Sequence, residues 1–356
     1  MIGYPADCGG ILVSGGNMAN ILCFAAARNA KAPWDIRKEG MNSKQQMRVY
    51  GSIEMHTWIQ KAADLFGLGT NSVRWISTDD QLRIDVPALR ERIQEDLDAG
   101  NLPFMVIGSA GTVSTGAVDP LPELAKICKE FNLWFHVDGA YGGFAAVVPD
   151  ASDDIRGLAM ADSVAVDPHK WLYAPLEAGC TLVRNPQDLL NAFSYKPTYY
   201  KLVQDVVNFF ELGPQNSRGF RALKVWLALR QAGREGYVKM ISDDMALSRE
   251  MFRVVQAHPE LEAFTQGLSI TTFRYVPSDL RQKPEAESYL NKLNEELVVR
   301  LQNGGEVFVS NAVVQEKYLL RACIVNFRTT LDDIHALPEI VARNGRETDS
   351  QLRSFK

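Results

Sequence analysis

At 356 residues the chain is too long for one ordinary core and suggests two domains. With 46% hydrophobic and 23% charged residues it fits a soluble globular protein, and a net charge of −5 without any Lys/Arg block argues against a nucleic-acid or anionic-membrane surface. No apolar stretch is long enough to span a bilayer, the start lacks a basic-then-apolar leader pattern, and five scattered cysteines form no CxxC pair, so a cytoplasmic protein with reduced thiols is expected.

In chain order, Ile11-Leu12-Val13 reads as a short strand leading through Ser14-Gly15-Gly16-Asn17-Met18-Ala19-Asn20 into a helix. Glycines let backbone approach an anion, and a helix N-terminus offers N–H groups, so a phosphate would sit well there. Many strand–helix turns carry Gly-Gly without any ligand. Helical periodicity covers 52–66, with His56 inside it, and 86–97, where Asp85 can cap. Residues 104–107 read as a strand and 121–131 as a helix. Two apolar runs follow, each stopping abruptly at polar groups: Leu133 to Tyr141, which contains Asp138, and Ser163 to Leu172, which contains Lys170. Residues 178–183 form a further strand. Alternation of this kind implies an α/β fold with a mostly parallel, doubly wound sheet.

Beyond it, 220–231 and 236–257 are long helical patterns. Strands are expected within 268–276 and 306–327, a helix over 286–301, and a closing helix over 332–342. That is a smaller α+β C-terminal domain. The boundary is drawn between a large domain over 1–222 and a small one over 223–356. The stretch 197–217 lacks periodicity and is expected to be mobile.

In open α/β sheets, ligands collect at the carboxyl ends of the strands. One strand end here presents the amine of Lys170 and another the carboxylate of Asp138. Pyridoxal phosphate needs that pair, a lysine to form a Schiff base and an acid to keep the pyridine nitrogen protonated. The bland readings are a solvated lysine, a turn-capping aspartate, and structural roles for His56 and His169. Against the first, the β-rich run before Lys170 and Trp171-Leu172 after it make a surface position unexpected. No histidine pair has metal-ligand spacing, and neither a G-x-S-x-G elbow nor a G-x-x-x-x-G-K-[ST] loop occurs.

Together these segments resemble the group II pyridoxal-phosphate decarboxylases, the family of aromatic-L-amino-acid, histidine and glutamate decarboxylases. The resemblance runs from about Gly10 to about Asn326. It is carried by His136-Val137-Asp138-Gly139-Ala140-Tyr141 and Asp167-Pro168-His169-Lys170-Trp171-Leu172, with Ala110 to Gly116 and Ser217 to Leu223 in support. It implies a fold-type I large domain, a homodimer and an amino-acid substrate, with an aromatic one expected.

By the same resemblance Lys170 is the Schiff-base lysine, Asp138 the partner of the pyridine nitrogen and Ala140 the small residue under the ring. His56 stacks on the ring's other face, and Thr112 lies near its phenolic oxygen. Gly15, Gly16 and Asn17 form the phosphate cup, with Ser163 and His169 as further contacts. Family members carry a sizeable segment ahead of the position of Met1 that packs across the dimer. A shortened homologue that binds without turnover is therefore an alternative expectation. Ser217 matches a position that varies between Gly and Ser in plant members and leans toward phenolic substrates. A tyrosine on the family's mobile loop protonates the product carbon, and ungapped counting puts Phe209 in its place. If that holds, oxidative deamination to an aldehyde is the alternative outcome; if the count slips, Tyr199 or Tyr200 supplies the proton.

Overall fold

The computed structural model describes residues 1–41, 45–196 and 206–354. The described chain forms two compact units, Met1–Thr112 with Ala117–Tyr237, and Val113–Gly116 with the residues from Val238 onward.

In chain order the first unit opens with β1 (Gly9–Val13), α1 (Gly16–Lys31), α2 (Ile36–Glu39), β2 (Met47–Ser52), α3 (Trp58–Leu65) and β3 (Val73–Ile76). Next come α4 (Val86–Asp98), β4 (Leu102–Ser109), α5 (Leu121–Glu130), β5 (Trp134–Asp138) and α6 (Asp153–Arg156). It continues with β6 (Ser163–Val166), α7 (Pro168–Trp171), β7 (Gly179–Val183) and α8 (Pro186–Phe193). Helix α9 (Arg221–Ala257), kinked at Gly233, leads into the second unit.

The seven strands form one sheet in the order β1-β7-β6-β5-β4-β2-β3. Strands β2 to β6 run parallel, and β7 is antiparallel to both β6 and β1. Burial patterns explain the arrangement. Strands β2, β4 and β6 are buried almost throughout, as strands covered on both faces must be, whereas β1 and β7 alternate. Two successive reversals return β1 to the direction of β6. The turn after β1 therefore lies at the same sheet edge as the carboxyl ends of β5 and β6.

One core of this unit centres on Phe24 of α1, which meets Trp58, Phe66 and Phe104 at ring-centroid distances of 6.5, 5.7 and 5.4 Å. The helix expected over 52–66 begins only at Trp58, because Met47–Ser52 is strand β2. Arg48, Gly51 and Ser52 interrupt the apolar pattern there and hide the strand from a reading by periodicity.

The second unit holds β8 (Leu261–Gly267), β9 (Ile270–Tyr275), α10 (Glu287–Gly304), β10 (Ser310–Val314), β11 (Lys317–Cys323) and α11 (Leu331–Ser354). Its sheet is antiparallel throughout, in the order β10-β11-β9-β8. Phe273, Leu293, Leu297, Leu320 and Val341 lie in its core. Helix α11 runs twelve residues past the expected end at Ala342, to Ser354. Among the described residues no helix is long and apolar enough to cross a membrane.

Candidate active site

The chain leaves β1 through Gly15, whose φ of 86° and ψ of 175° suit only glycine. Gly16 then opens α1, whose N-terminus no side chain caps, so its first N–H groups form a natural anion cradle. A Cβ on Gly16 would lie 2.5 Å from Oδ2 of Asp167, so the turn tolerates no larger residue without displacing that carboxylate. Asn17, half-buried, sits in the same first turn.

Asp167 follows the last residue of β6 and is buried at 1% exposure. Its Oδ2 lies 3.3 Å from Nζ of Lys170 and 3.8 Å from Nε2 of His169, while its Oδ1 is buried without a hydrogen-bond partner. Burial pushes this carboxyl's pKa above the usual aspartate range, and Lys170 and His169 pull it back. Sequence reasoning quoted Asp167 inside a motif and gave it no role.

Lys170 is not enclosed as expected: its side chain is 41% exposed. The single turn of α7 buries Pro168 and Trp171, the latter stacked on Tyr141 with centroids 5.1 Å apart, and this turns Lys170 outward. His169 is half-buried, its Nδ1 2.7 Å from the carbonyl oxygen of Ala178.

Asp138 ends β5. Its Oδ2 accepts the indole N–H of Trp58 at 2.7 Å and its Oδ1 the backbone N–H of Ala140 at 3.1 Å. Both donors are neutral, so neither cancels its charge. Trp58 is wholly buried and was missed in the sequence, where it reads as one more core aromatic. Ala140 is buried beside the position a Gly16 side chain would take.

Behind Asp138, Nε2 of His136 donates to Oδ1 of Asn20 at 2.7 Å, and Nδ1 accepts from the Ser163 hydroxyl at 2.9 Å. Ser163 Oγ also accepts the indole N–H of Trp134 at 2.8 Å. This corrects the expectation for Ser163. It is fully buried at the amino end of β6, opposite His136 in register, with its hydroxyl engaged inside the protein, so it is not among the groups facing the crevice. A strand's first and last residues look alike in a sequence, and only the register separates them.

His56 lies in the loop before α3 and is exposed, its Nδ1 accepting the N–H of Trp58 at 3.1 Å. It thus caps a helix whose N-cap residue offers no side-chain bond. Desolvation holds its pKa below the usual histidine value, against the pull of Asp138. Thr112 is buried just past β4 and pins its turn, its Oγ1 accepting from the N–H of Ala117 at 3.2 Å.

Phe209 is not at this edge. It is 52% exposed, with the Arg218 guanidinium 5.8 Å from its ring centroid, and lines a cavity with Gly9 and Gly10 at the opposite end of β1 from Gly15. Tyr199 and Tyr200 lie outside the described residues, as does the first part of the 197–217 stretch. Ser217 is exposed.

The groups present fit pyridoxal phosphate. The glycine turn at the uncapped head of α1 suits its phosphate. Asp138 offers a carboxylate held by neutral donors to a cationic ring nitrogen, and Lys170 offers an accessible amine. Among the described residues no cluster of three His, Cys, Asp or Glu could hold a metal ion.

Comparison with known proteins points the same way. The pyridoxal-dependent decarboxylase conserved domain matches residues 1–276. An aromatic-L-amino-acid decarboxylase from Bacillus atrophaeus is 37% identical over 94% of this chain and 68% of its own length. A 4-hydroxyphenylacetaldehyde synthase from Rhodiola rosea is 29% identical over 90% of this chain and 64% of its own. The chain spans 58–65% of the length of the plant relatives it matches. Among solved structures, Oryza sativa TDC with PLP and tryptamine superposes with a TM-score of 0.87 at 27% identity, over 96% of this chain and 70% of that one. The protein belongs to the pyridoxal-dependent decarboxylase family.

Proposed function

We propose that the protein is a pyridoxal-phosphate-dependent carboxy-lyase that converts an aromatic L-amino acid to its amine, working as a cytoplasmic homodimer. The observation that carries this reading is the meeting, at one sheet edge, of the Lys170 amine, the Asp138 carboxylate and the Gly15–Gly16 turn. When bound, the cofactor supplies a protonated pyridine ring that accepts the electron pair left behind by departing CO₂.

The chain's own residues do the rest. Lys170 is the amine that tethers the cofactor. Asp138, held by Trp58 and the Ala140 N–H, keeps a proton on the ring nitrogen by favouring the charged form. His56 and Ala140 flank a flat ring and fix its orientation, which is a matter of alignment and not of proton transfer. Gly15, Gly16 and Asn17 hold the phosphate, with His169 beside them, and Thr112 lies near the ring's oxygen.

A second reading, decarboxylation with oxidative deamination to an aldehyde, is favoured by Phe209 in the loop and by the Rhodiola rosea relative. The experiment is to load the protein with pyridoxal phosphate and measure CO₂ release across a panel of L-amino acids, with identification of the organic product. Release is expected from aromatic substrates in preference to acidic or aliphatic ones. Cofactor uptake without CO₂ from any amino acid would leave only a non-catalytic, cofactor-binding homologue.

A further inference from the structure

We propose that Asp167 takes up a proton when a phosphate group settles on the Gly15–Gly16 turn, so that this buried carboxyl sets the pH range over which the cofactor is held. The proposal rests on the reading above that pyridoxal phosphate binds at this turn. Its starting point is contact: Oδ2 of Asp167 lies 2.5 Å from where a Cβ of Gly16 would stand, so the carboxylate packs directly against the turn. The second observation is the orphaned Oδ1, buried and without a hydrogen-bond partner. A buried acceptor left unpaired is costly, and protonation converts it into a donor.

The titratable groups around Asp167 come from four directions. Lys170 at 3.3 Å and His169 at 3.8 Å share its element. Asp138 acts on it from β5 and raises its pKa, His56 faces it from the loop before α3, and Cys180 from β7. Lys170 pulls the carboxyl toward its charged form and Asp138 pushes it toward the neutral one, and a phosphate beside the same turn brings further negative charge against this buried carboxyl. Repulsion between like charges in such a place favours the neutral acid. The proton comes from solvent, and no bond other than O–H is made.

The sign follows from linkage. If Asp167 is ionised in the free protein and protonated in the complex, binding consumes a proton. Affinity is then highest at low pH and falls as pH rises, by up to about tenfold per pH unit between the free and bound pKa values.

The test compares dissociation constants of pyridoxal 5'-phosphate and of pyridoxal, which lacks the phosphate, from about pH 6 to about pH 9. Native protein and Asp167→Asn are titrated by the change in cofactor absorbance. Asp167→Ser repeats the measurement should the amide disturb folding. The ratio of native to Asp167→Asn constants is expected to climb with pH for the phosphorylated cofactor and to stay level for pyridoxal. A level ratio for both ligands overturns the proposal. So does an equal climb for both, since Asp167 would then be acting only through the amine of Lys170. If no protein binds pyridoxal phosphate at any pH, the underlying reading fails and the proposal with it.

Discussion

The amine of Lys170 is accessible because one helical turn buries Pro168 and Trp171 and leaves the lysine side chain out. Exposure of that kind suits a group that must meet a carbonyl arriving from solvent. In Lys170→Ala the tether is gone, and borohydride treatment of the cofactor-loaded protein should no longer fix label to the chain. Label retained at wild-type level would assign the tether to another lysine. Asp138 is different in kind, since it is needed after binding. Asp138→Asn is expected to bind cofactor while losing a charge-assisted contact of about 1.5–3 kcal/mol, or about 10- to 150-fold in kcat. Turnover near the native rate would remove Asp138 from the mechanism. His56 carries two loads, the cap on α3 and the flank of the ring. His56→Ala should lose about 1 kcal/mol of stability from the cap and, separately, cofactor affinity and turnover. A variant with only the stability loss is a structural histidine and nothing more.

At the scale of elements, α1, β5 and β6 are tied together by Asn20, His136 and Ser163, and this knot holds Asp138 from behind. Burial depresses the pKa of His136 to about 4. The unfolded chain takes up its proton near the ordinary histidine value, the folded chain only far below it. Its contribution is therefore fully present above about pH 6.5 and is lost as pH falls toward about 4, by on the order of 3 kcal/mol in all. Urea unfolding followed across that window should show a steeper loss for native protein than for His136→Gln; coincident slopes would assign the pH dependence elsewhere. The elements themselves were legible to different degrees. The β6–α7 unit shows in the sequence because three apolar residues, Val164, Ala165 and Val166, stop at Asp167 and Pro168. Strand β2 does not, because it buries an arginine and a glycine within six residues. The partners of Asp138 and Lys170 were hidden for a related reason. Trp58 reaches Asp138 across 80 positions, and nothing in a linear sequence separates a core indole from one whose N–H is aimed at a carboxylate. Asp167 stood in plain view, but its contact with Gly16 exists only once β1 and β6 share an edge.

At the scale of the whole molecule the open question is which product leaves. Carbon that has lost CO₂ must receive a proton, and phenylalanine has none to give. Phe209 lies beyond the far end of β1 from the glycine turn, which by itself neither supplies nor blocks a donor at the crevice. Tyr199 and Tyr200, ten and nine positions before it, are the other candidates in the same connection between α8 and α9. A phenol from either would serve, and the amine is the product expected of the native protein. If Phe209 instead fills the donor's place, electron-rich carbon is left open to oxygen, and aldehyde, ammonia and peroxide form in place of amine. The measurement is amine, aldehyde and peroxide from native, Phe209→Tyr, Tyr199→Phe and Tyr200→Phe proteins on one aromatic substrate. With a tyrosine donor, amine formation should fall by tenfold or more in one Tyr→Phe variant, a general-acid contribution being worth about 10²–10⁴, and Phe209→Tyr should change little. Aldehyde with matching peroxide from the native protein, shifted toward amine by Phe209→Tyr, would reverse the assignment and make Phe209 the residue that selects the product.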